Sequence, residues 1–444
     1  MYSYRQHIKE TIKLALPISI GQLGHIMLGV TDSIMVGHVG AAQLAASSLV
    51  NGLVWLVVVF GFGLTLALTP LTAIERGKGR VTECGVILRQ GLIVNVFFAI
   101  LLVMTLYFLS GLIAYLKQPE DVAELAISYG RIVSFSIFPF MIFGVYRQFI
   151  EGLSFMKPAM YVLLITNVVN VFANWVLIYG NLGSPAYGLD GAGYATFISR
   201  MFMALVMIVY VLNAKSLKPF EPGFRFKRID FKVMREIIRI GIPMGFQHFF
   251  EVGAFSFSAV MIGWMGSKEL AAHQIALSLA SITFMLITGL SSATTVRIGF
   301  AFGQNDMPHI RRAGFGSLYL TMMVMSVFGL SFILLRNYLP LIFMNDPDVL
   351  SITASLLVIA ALFQISDGSQ AVGLGMLRGI KDVKIPTYYT LIAYWIIGLP
   401  VGYLLGFRFG YGVNGIWLGF LAGLTTAAFL LILRFKRQTR QVHL

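Results

Sequence analysis

The sequence predicts an all-α polytopic membrane protein, with twelve transmembrane helices in two six-helix lobes related by a parallel internal repeat. Three observations carry this. Hydrophobic residues make up 57% of the 444 and charged residues only 12%, about half the charged share of an average soluble domain. The apolar residues gather in twelve stretches of roughly 20 residues or more, long enough to cross a bilayer as helices. The first half of the chain also returns, in order, in the second. So few charges cannot cover a globular surface of this size, and the same numbers exclude disordered and fibrous classes.

Polar or Gly/Pro punctuation bounds the twelve stretches. They cover 11–36, 46–73, 86–109, 123–148, 157–179 and 188–213 in the first half, and 235–264, 272–300, 312–335, 348–375, 384–407 and 411–434 in the second. Only Phe407 to Tyr411 separates the last two. The polar, basic start from Met1 to Lys13 leads into an apolar run longer than a signal peptide, with no small-residue cleavage site. It reads as a retained first span. A single cysteine, Cys84, forms neither an internal disulfide nor a zinc cluster.

The net charge of +14 would suit a nucleic-acid partner if it formed one patch. It does not. Of 33 Lys and Arg residues, 27 fall in alternate loops and the two ends, including eight between Lys215 and Arg239. The opposite loops hold only Lys117, Lys268, Arg336 and Arg408, while Arg131 and Arg200 fall within spans. Positively charged loops stay inside. Both termini are therefore expected in the cytoplasm of a bacterial-type inner membrane, with lipids as partners and no nucleic acid.

The segment M-V-G-H-V-G-A-A-Q-L-A-A from Met35 returns as M-I-G-W-M-G-S-K-E-L-A-A from Met261, with six of twelve positions identical. The same offset of 226 pairs Pro17 with Pro243, Gly63 with Gly289 and Gly77 with Gly303. Later, Y-G-L-D-G from Tyr187 returns as Y-G-V-N-G from Tyr411. Six spans per half is an even number, so both halves enter the membrane in the same sense. Transporters built in this way bind substrate between repeats and rock one against the other. The expected organisation is a lobe over 1–214, a basic cytoplasmic linker over 215–232 with Pro219 and Pro222, and a second lobe over 233–444.

Three acids lie well inside the predicted spans, away from their ends: Asp32, Glu251 and Asp367. Each costs roughly 2.5–3.5 kcal/mol at a helix centre facing lipid, so they are expected to face protein or a wet cavity. There, a proton or a cation removes the penalty. Polar neighbours lie on the same helical faces. Gln22, His25, Gly29 and Asp32 share one stripe, Gln247, Glu251 and Ser258 another. Gln364 lies a turn from Asp367, and Asn167, Asn170 and Asn174 form the fourth stripe. The competing reading of each acid is a protonated group in a structural hydrogen bond. His25 and His248 read either as proton shuttles or as packing residues. Arg200 either neutralises an acid or snorkels.

At this point the chain resembles a known family. T-D-S-I-M-V-G-H-V-G from Thr31, its repeat partner, L-R-G-I-K-D-V-K-I-P from Leu377, and the glycine-rich run from Gly398 to Gly419 look like the multidrug and toxic compound extrusion family, most closely its NorM-like branch. The resemblance covers essentially the whole chain. It implies that Glu251 and Asp367 match the cation-binding acids of the second lobe, with Na+ or H+ as the coupling ion. Asp32, Asn174 and Thr196 match the polar cluster of the first lobe. Members of a related branch have a second aspartate one turn after the asparagine; here that residue is Ile178, which favours the Glu251–Asp367 pair as the coupling centre.

No P-loop, H-E-x-x-H, G-x-S-x-G or dinucleotide motif occurs in a usable context. The chain is thus not expected to be an enzyme or to need a cofactor, and an ion gradient supplies the energy. The leading expectation is a monomeric secondary antiporter that exports small organic, mainly cationic and amphipathic compounds. The 36 Phe and 21 Met residues suit such substrates, though most pack against helices or lipid. The alternative is a flippase for lipids or lipid-linked oligosaccharides from the same superfamily, which a basic rather than acidic interior would favour.

Overall fold

A computed structural model describes residues 4–115, 119–223 and 229–440. Lys117, Arg225, Lys227 and Arg228, counted above with the loops, lie outside the described residues. Among the described residues there are helices and no strands.

The first six long helices are α1 (Tyr4–Gly37), α2 (Ala41–Leu66, continued by Leu68–Gly77), α3 (Val81–Leu112), α4 (Glu120–Gly152), α5 (Lys157–Tyr179) and α6 (Gly188–Asn213). The second six are α7 (Phe231–Gly263), α8 (Ser267–Gly303), α9 (Met307–Leu335), α10 (Pro347–Gly379), α11 (Lys384–Arg408) and α12 (Gly412–Gln438). Local chemistry sets several ends. Asp306 and Asp346 cap α9 and α10 by accepting from the backbone nitrogens of His309 and Asp348, each at 2.9 Å. Gly180 ends α5 at φ 76°, in the left-handed region that glycine enters without penalty.

Eleven of the twelve are long and apolar enough to cross a membrane. The twelfth, α7, has the length at 33 residues, but Gln247, His248, Glu251 and Ser258 dilute its apolar stretch.

Contacts divide the chain into two compact units. One is Ile20–Gly245; the other joins the residues up to Ser19 to those from Phe246 onward. Both boundaries fall inside helices, α1 and α7. Glycine contacts within each unit supply the reason. A Cβ on Gly63 of α2 would fall 2.2 Å from the backbone nitrogen of Gly245 and 2.4 Å from the carbonyl oxygen of Gly241 in α7. At an offset of 226, a Cβ on Gly289 of α8 would fall 2.1 Å from Ser19 Oγ and 2.8 Å from the Ala15 carbonyl in α1. Ala15 and Ser19 are the repeat partners of Gly241 and Gly245, so the parallel repeat extends to its close packing. Pro17 and Pro243 lie in these same segments.

In the unit containing Glu251, an aromatic core anchors α7. Phe255 stacks on Phe420 at 4.5 Å between ring centroids and tilts against Tyr394 at 6.3 Å. Phe363 and Trp417 lie 5.6 Å apart beside them. Helix α11 departs from α-helical winding, with π-helical turns at Ile392–Gly398 and Leu404–Arg408. Small residues let α12 press against it: a Cβ on Gly419 would fall 2.4 Å from the Gly402 Cα and 2.5 Å from the Gly398 carbonyl.

Candidate functional site

The intramembrane acids lie in two separate clusters, one in each unit. In the Ile20–Gly245 unit, α1 presents Asp32 to α5 and α6. Asn174 Nδ2 donates to Asp32 Oδ1 at 2.6 Å, and its amide also donates to Asn170 Oδ1 at 3.3 Å. Thr196 donates to Asp32 Oδ2 at 3.1 Å and to the Ala192 carbonyl at 2.9 Å. A hydroxyl has one proton, so Thr196 divides it between two acceptors and Asn174 is the firmer donor. Asn170 and Asn174 are fully buried. Among the described residues, Asn174 Oδ1 has no hydrogen-bond partner.

The other candidates of this unit make no hydrogen bond to that carboxylate among the described residues. His25 stacks on Phe140 with ring centroids 5.5 Å apart. Arg200 turns into the unit, where it donates to Ser136 Oγ at 2.8 Å and lies over the Phe140 ring at 4.8 Å. It interacts electrostatically with Asp32 and Tyr129. Gln22 instead accepts from Arg147 at 3.4 Å, and Arg147 Nε pairs with Glu151 at 2.6 Å. Arg147 and Glu151 are both buried within α4. Their spacing of four residues was the available signal. An apolar groove of ≈ 380 Å³ runs between α1 and α5, lined by Leu23, Met27 and Thr31 on one side and by Leu164 and Val168 on the other.

In the second cluster, α7 presents Glu251 and α10 presents Asp367, which is 4% exposed. The two carboxyls interact electrostatically. Tyr394 of α11 donates its hydroxyl to Glu251 Oε1 at 3.3 Å, and His248 Nδ1 lies 3.7 Å from Glu251 Oε2. Arg378, near the end of α10, donates to Gln247 Oε1 at 3.0 Å and lies 3.5 Å from His248 Nε2. Gln247 in turn donates to the Val383 carbonyl at 3.1 Å and to Thr387 at 3.2 Å. A chain of polar contacts thus runs from Glu251 through His248 and Arg378 to the α10–α11 connection. Thr283 donates to Gln364 Oε1 at 2.9 Å, while Gln364 Nε2 has no hydrogen-bond partner among the described residues.

Tyr394 and Arg378 escape the sequence reading. Tyr394 sits on a π-helical turn, so α-helical spacing does not project it onto the acid face. Arg378 reads as a loop charge next to Lys381 and Lys384. Among the described residues, no three of His, Cys, Asp or Glu converge as metal ligands. Any cation at Glu251 and Asp367 would take two carboxyls and neutral oxygens, a donor set suited to a hard ion.

The MatE family model matches residues 17–176 and again 243–404, the two repeat copies, beginning at the paired prolines Pro17 and Pro243. A probable multidrug resistance protein NorM of Agrobacterium fabrum is 36% identical over 438 residues, covering 98% of this chain and 94% of its own. Multidrug resistance protein MdtK of Yersinia pseudotuberculosis is 35% identical, covering 99% and 98%. A crystal structure of a Vibrio cholerae MATE transporter has the same fold, with a TM-score of 0.90 at 17% identity over 99% of this chain and 98% of that one. With two tandem matches to its model and relatives that span nearly its full length, this multi-pass membrane protein belongs to the MatE family of transporters.

Proposed function

We propose that the chain is a secondary multidrug exporter that exchanges small organic, mainly cationic and amphipathic compounds for Na+ or H+. The observation that carries this is the placement of two acids on different helices of one unit, Glu251 on α7 and the 4% exposed Asp367 on α10, within electrostatic reach of each other. Two carboxylates out of water repel each other unless a proton or a cation comes between them. An organic cation and a coupling ion satisfy the same need, so occupancy by one opposes the other. Linkage makes that opposition reciprocal, and alternating exclusion is what antiport requires. The multidrug resistance names of the relatives fit this substrate class.

The basic loops support an orientation with both termini in the cytoplasm of a bacterial inner membrane, and the working unit is taken as a monomer. In this reading Asp32, held by Asn174 and Thr196, is a second site for a proton or cation in the other unit. Everted vesicles from an efflux-deficient host, loaded with ethidium under an imposed Na+ gradient or pH gradient, test the proposal. Wild-type protein is expected to respond to one of the two gradients, and Glu251→Gln and Asp367→Asn to neither while still reaching the membrane. Wild-type transport rates in both variants would overturn it.

A further inference from the structure

We infer that the unit containing Glu251 binds the headgroup of an anionic phospholipid in a groove between α10 and α12, at the end of the helices opposite the two chain termini. The groove has a volume of ≈ 550 Å³. Its chemistry changes along α10 and α12. Arg336 and Asn337, just beyond the end of α9, form the rim together with Ser351. Ser355 and Asn414 follow, with Ser355 Oγ donating to Asn414 Oδ1 at 3.1 Å. Val358, Ile359 and Leu418 complete the lining, one to two turns further along α10 and α12. From Ser351 to Ile359 the helix advances about 12 Å, enough to pass from a headgroup zone into hydrocarbon. Beside Arg336, Tyr338 and Ile342 are 69% and 75% exposed, an apolar surface suited to a membrane interface with the tyrosine as its amphipathic anchor.

The other repeat shows what distinguishes this groove. An offset of 227 pairs Ser355 with Ser128, and the Y-G-L-D-G repeat pairs Asn414 with Asp190. Ser128 donates to Asp190 Oδ2 at 2.7 Å, so the same cross-helix contact exists in both units. There, however, the counterpart of Val358 is Arg131, whose guanidinium lies 5.3 Å from the Tyr107 ring centroid. That unit fills the position with its own cation and carries an acid where this one has a neutral amide. The Glu251-containing unit loses both charges and places Arg336 at the rim. Lys268, another basic residue at this end, is paired with Asp348, whereas Arg336 has no acidic partner among the described residues. One guanidinium, two hydroxyls and two amides followed by an apolar lining suit a phosphodiester with an acyl chain behind it.

This inference rests on the membrane-spanning fold but not on the proposed transport reaction, and its test reads binding alone. Detergent-purified full-length protein would be titrated with palmitoyl-oleoyl-phosphatidylglycerol, following the rise in melting temperature. Arg336→Ala is expected to need about tenfold more lipid for the same rise, as loss of one charge-assisted hydrogen bond implies. Asn414→Asp, which restores the acid of the other repeat, is expected to weaken binding similarly, while Arg408→Ala binds as wild type does. Unchanged lipid response in Arg336→Ala, or an equal loss in Arg408→Ala, would overturn the site. Equal stabilisation by inorganic phosphate would overturn the lipid as its occupant. Ethidium efflux in the same variants separates this outcome from failure of the transport proposal.

Discussion

Asn174 and Asp32, 142 residues apart in sequence, are joined by a 2.6 Å hydrogen bond from the asparagine amide to the carboxyl oxygen. With the Thr196 proton shared between two acceptors, this bond is the principal polar tie of α1 to α5 at the acid. Asn174→Ala should therefore lower stability by about 1–3 kcal/mol, the cost of an unsatisfied buried group. Thermal unfolding of the purified protein measures it. An unchanged melting temperature would show that Asp32 finds another donor.

Tyr394→Phe removes the hydroxyl that donates to Glu251 and keeps the ring beside Phe255. Melting should change by less than about 1.5 kcal/mol, the upper end for one ordinary hydrogen bond. Ethidium efflux should fall several-fold, because the carboxyl loses the donor that orients it. Full efflux in this variant would confine Tyr394 to packing.

The Arg147–Glu151 pair is buried, and breaking one side of such a pair costs about 3–5 kcal/mol. Glu151→Gln should reduce the folded yield strongly, as judged by size-exclusion profiles in detergent. Replacing both residues together with Met should restore much of it, since no uncompensated charge remains. If the single and double variants behave alike, charge pairing is not what this site contributes.

Gly419→Ala places a methyl group against the backbone of α11 at Gly398 and Gly402. Overpacking of this kind costs about 1–3 kcal/mol. The same loss is expected from Gly63→Ala, which meets α7 at Gly241 and Gly245. Alanine at Gly29, where a Cβ would meet nothing within 4 Å, should leave the melting temperature nearly unchanged and serves as the control.

The repeat and the membrane character were legible because both follow from composition and order along the chain. Apolar runs of bilayer length have few alternatives, and the offset that pairs Gly63 with Gly289 needs no coordinates. The acids were legible for the same reason. A carboxyl in an apolar span stands out because lipid penalises it, so Asp32, Glu251 and Asp367 could be named from position alone.

Partnership was not legible. Nothing local says that Gln22 meets Arg147 rather than Asp32, that Thr283 donates to the Gln364 oxygen, or that Tyr394 reaches Glu251 from a π-helical turn. Those pairings depend on how helices rotate and where small residues let them approach, which is set by packing between residues far apart in sequence. The same cause places the unit boundaries inside α1 and α7. The sequence by itself determined a twelve-helix repeat and its intramembrane acids, because each reports the cost of meeting lipid. Only the tertiary structure decided which groups face those acids, because that depends on close packing between helices distant along the chain.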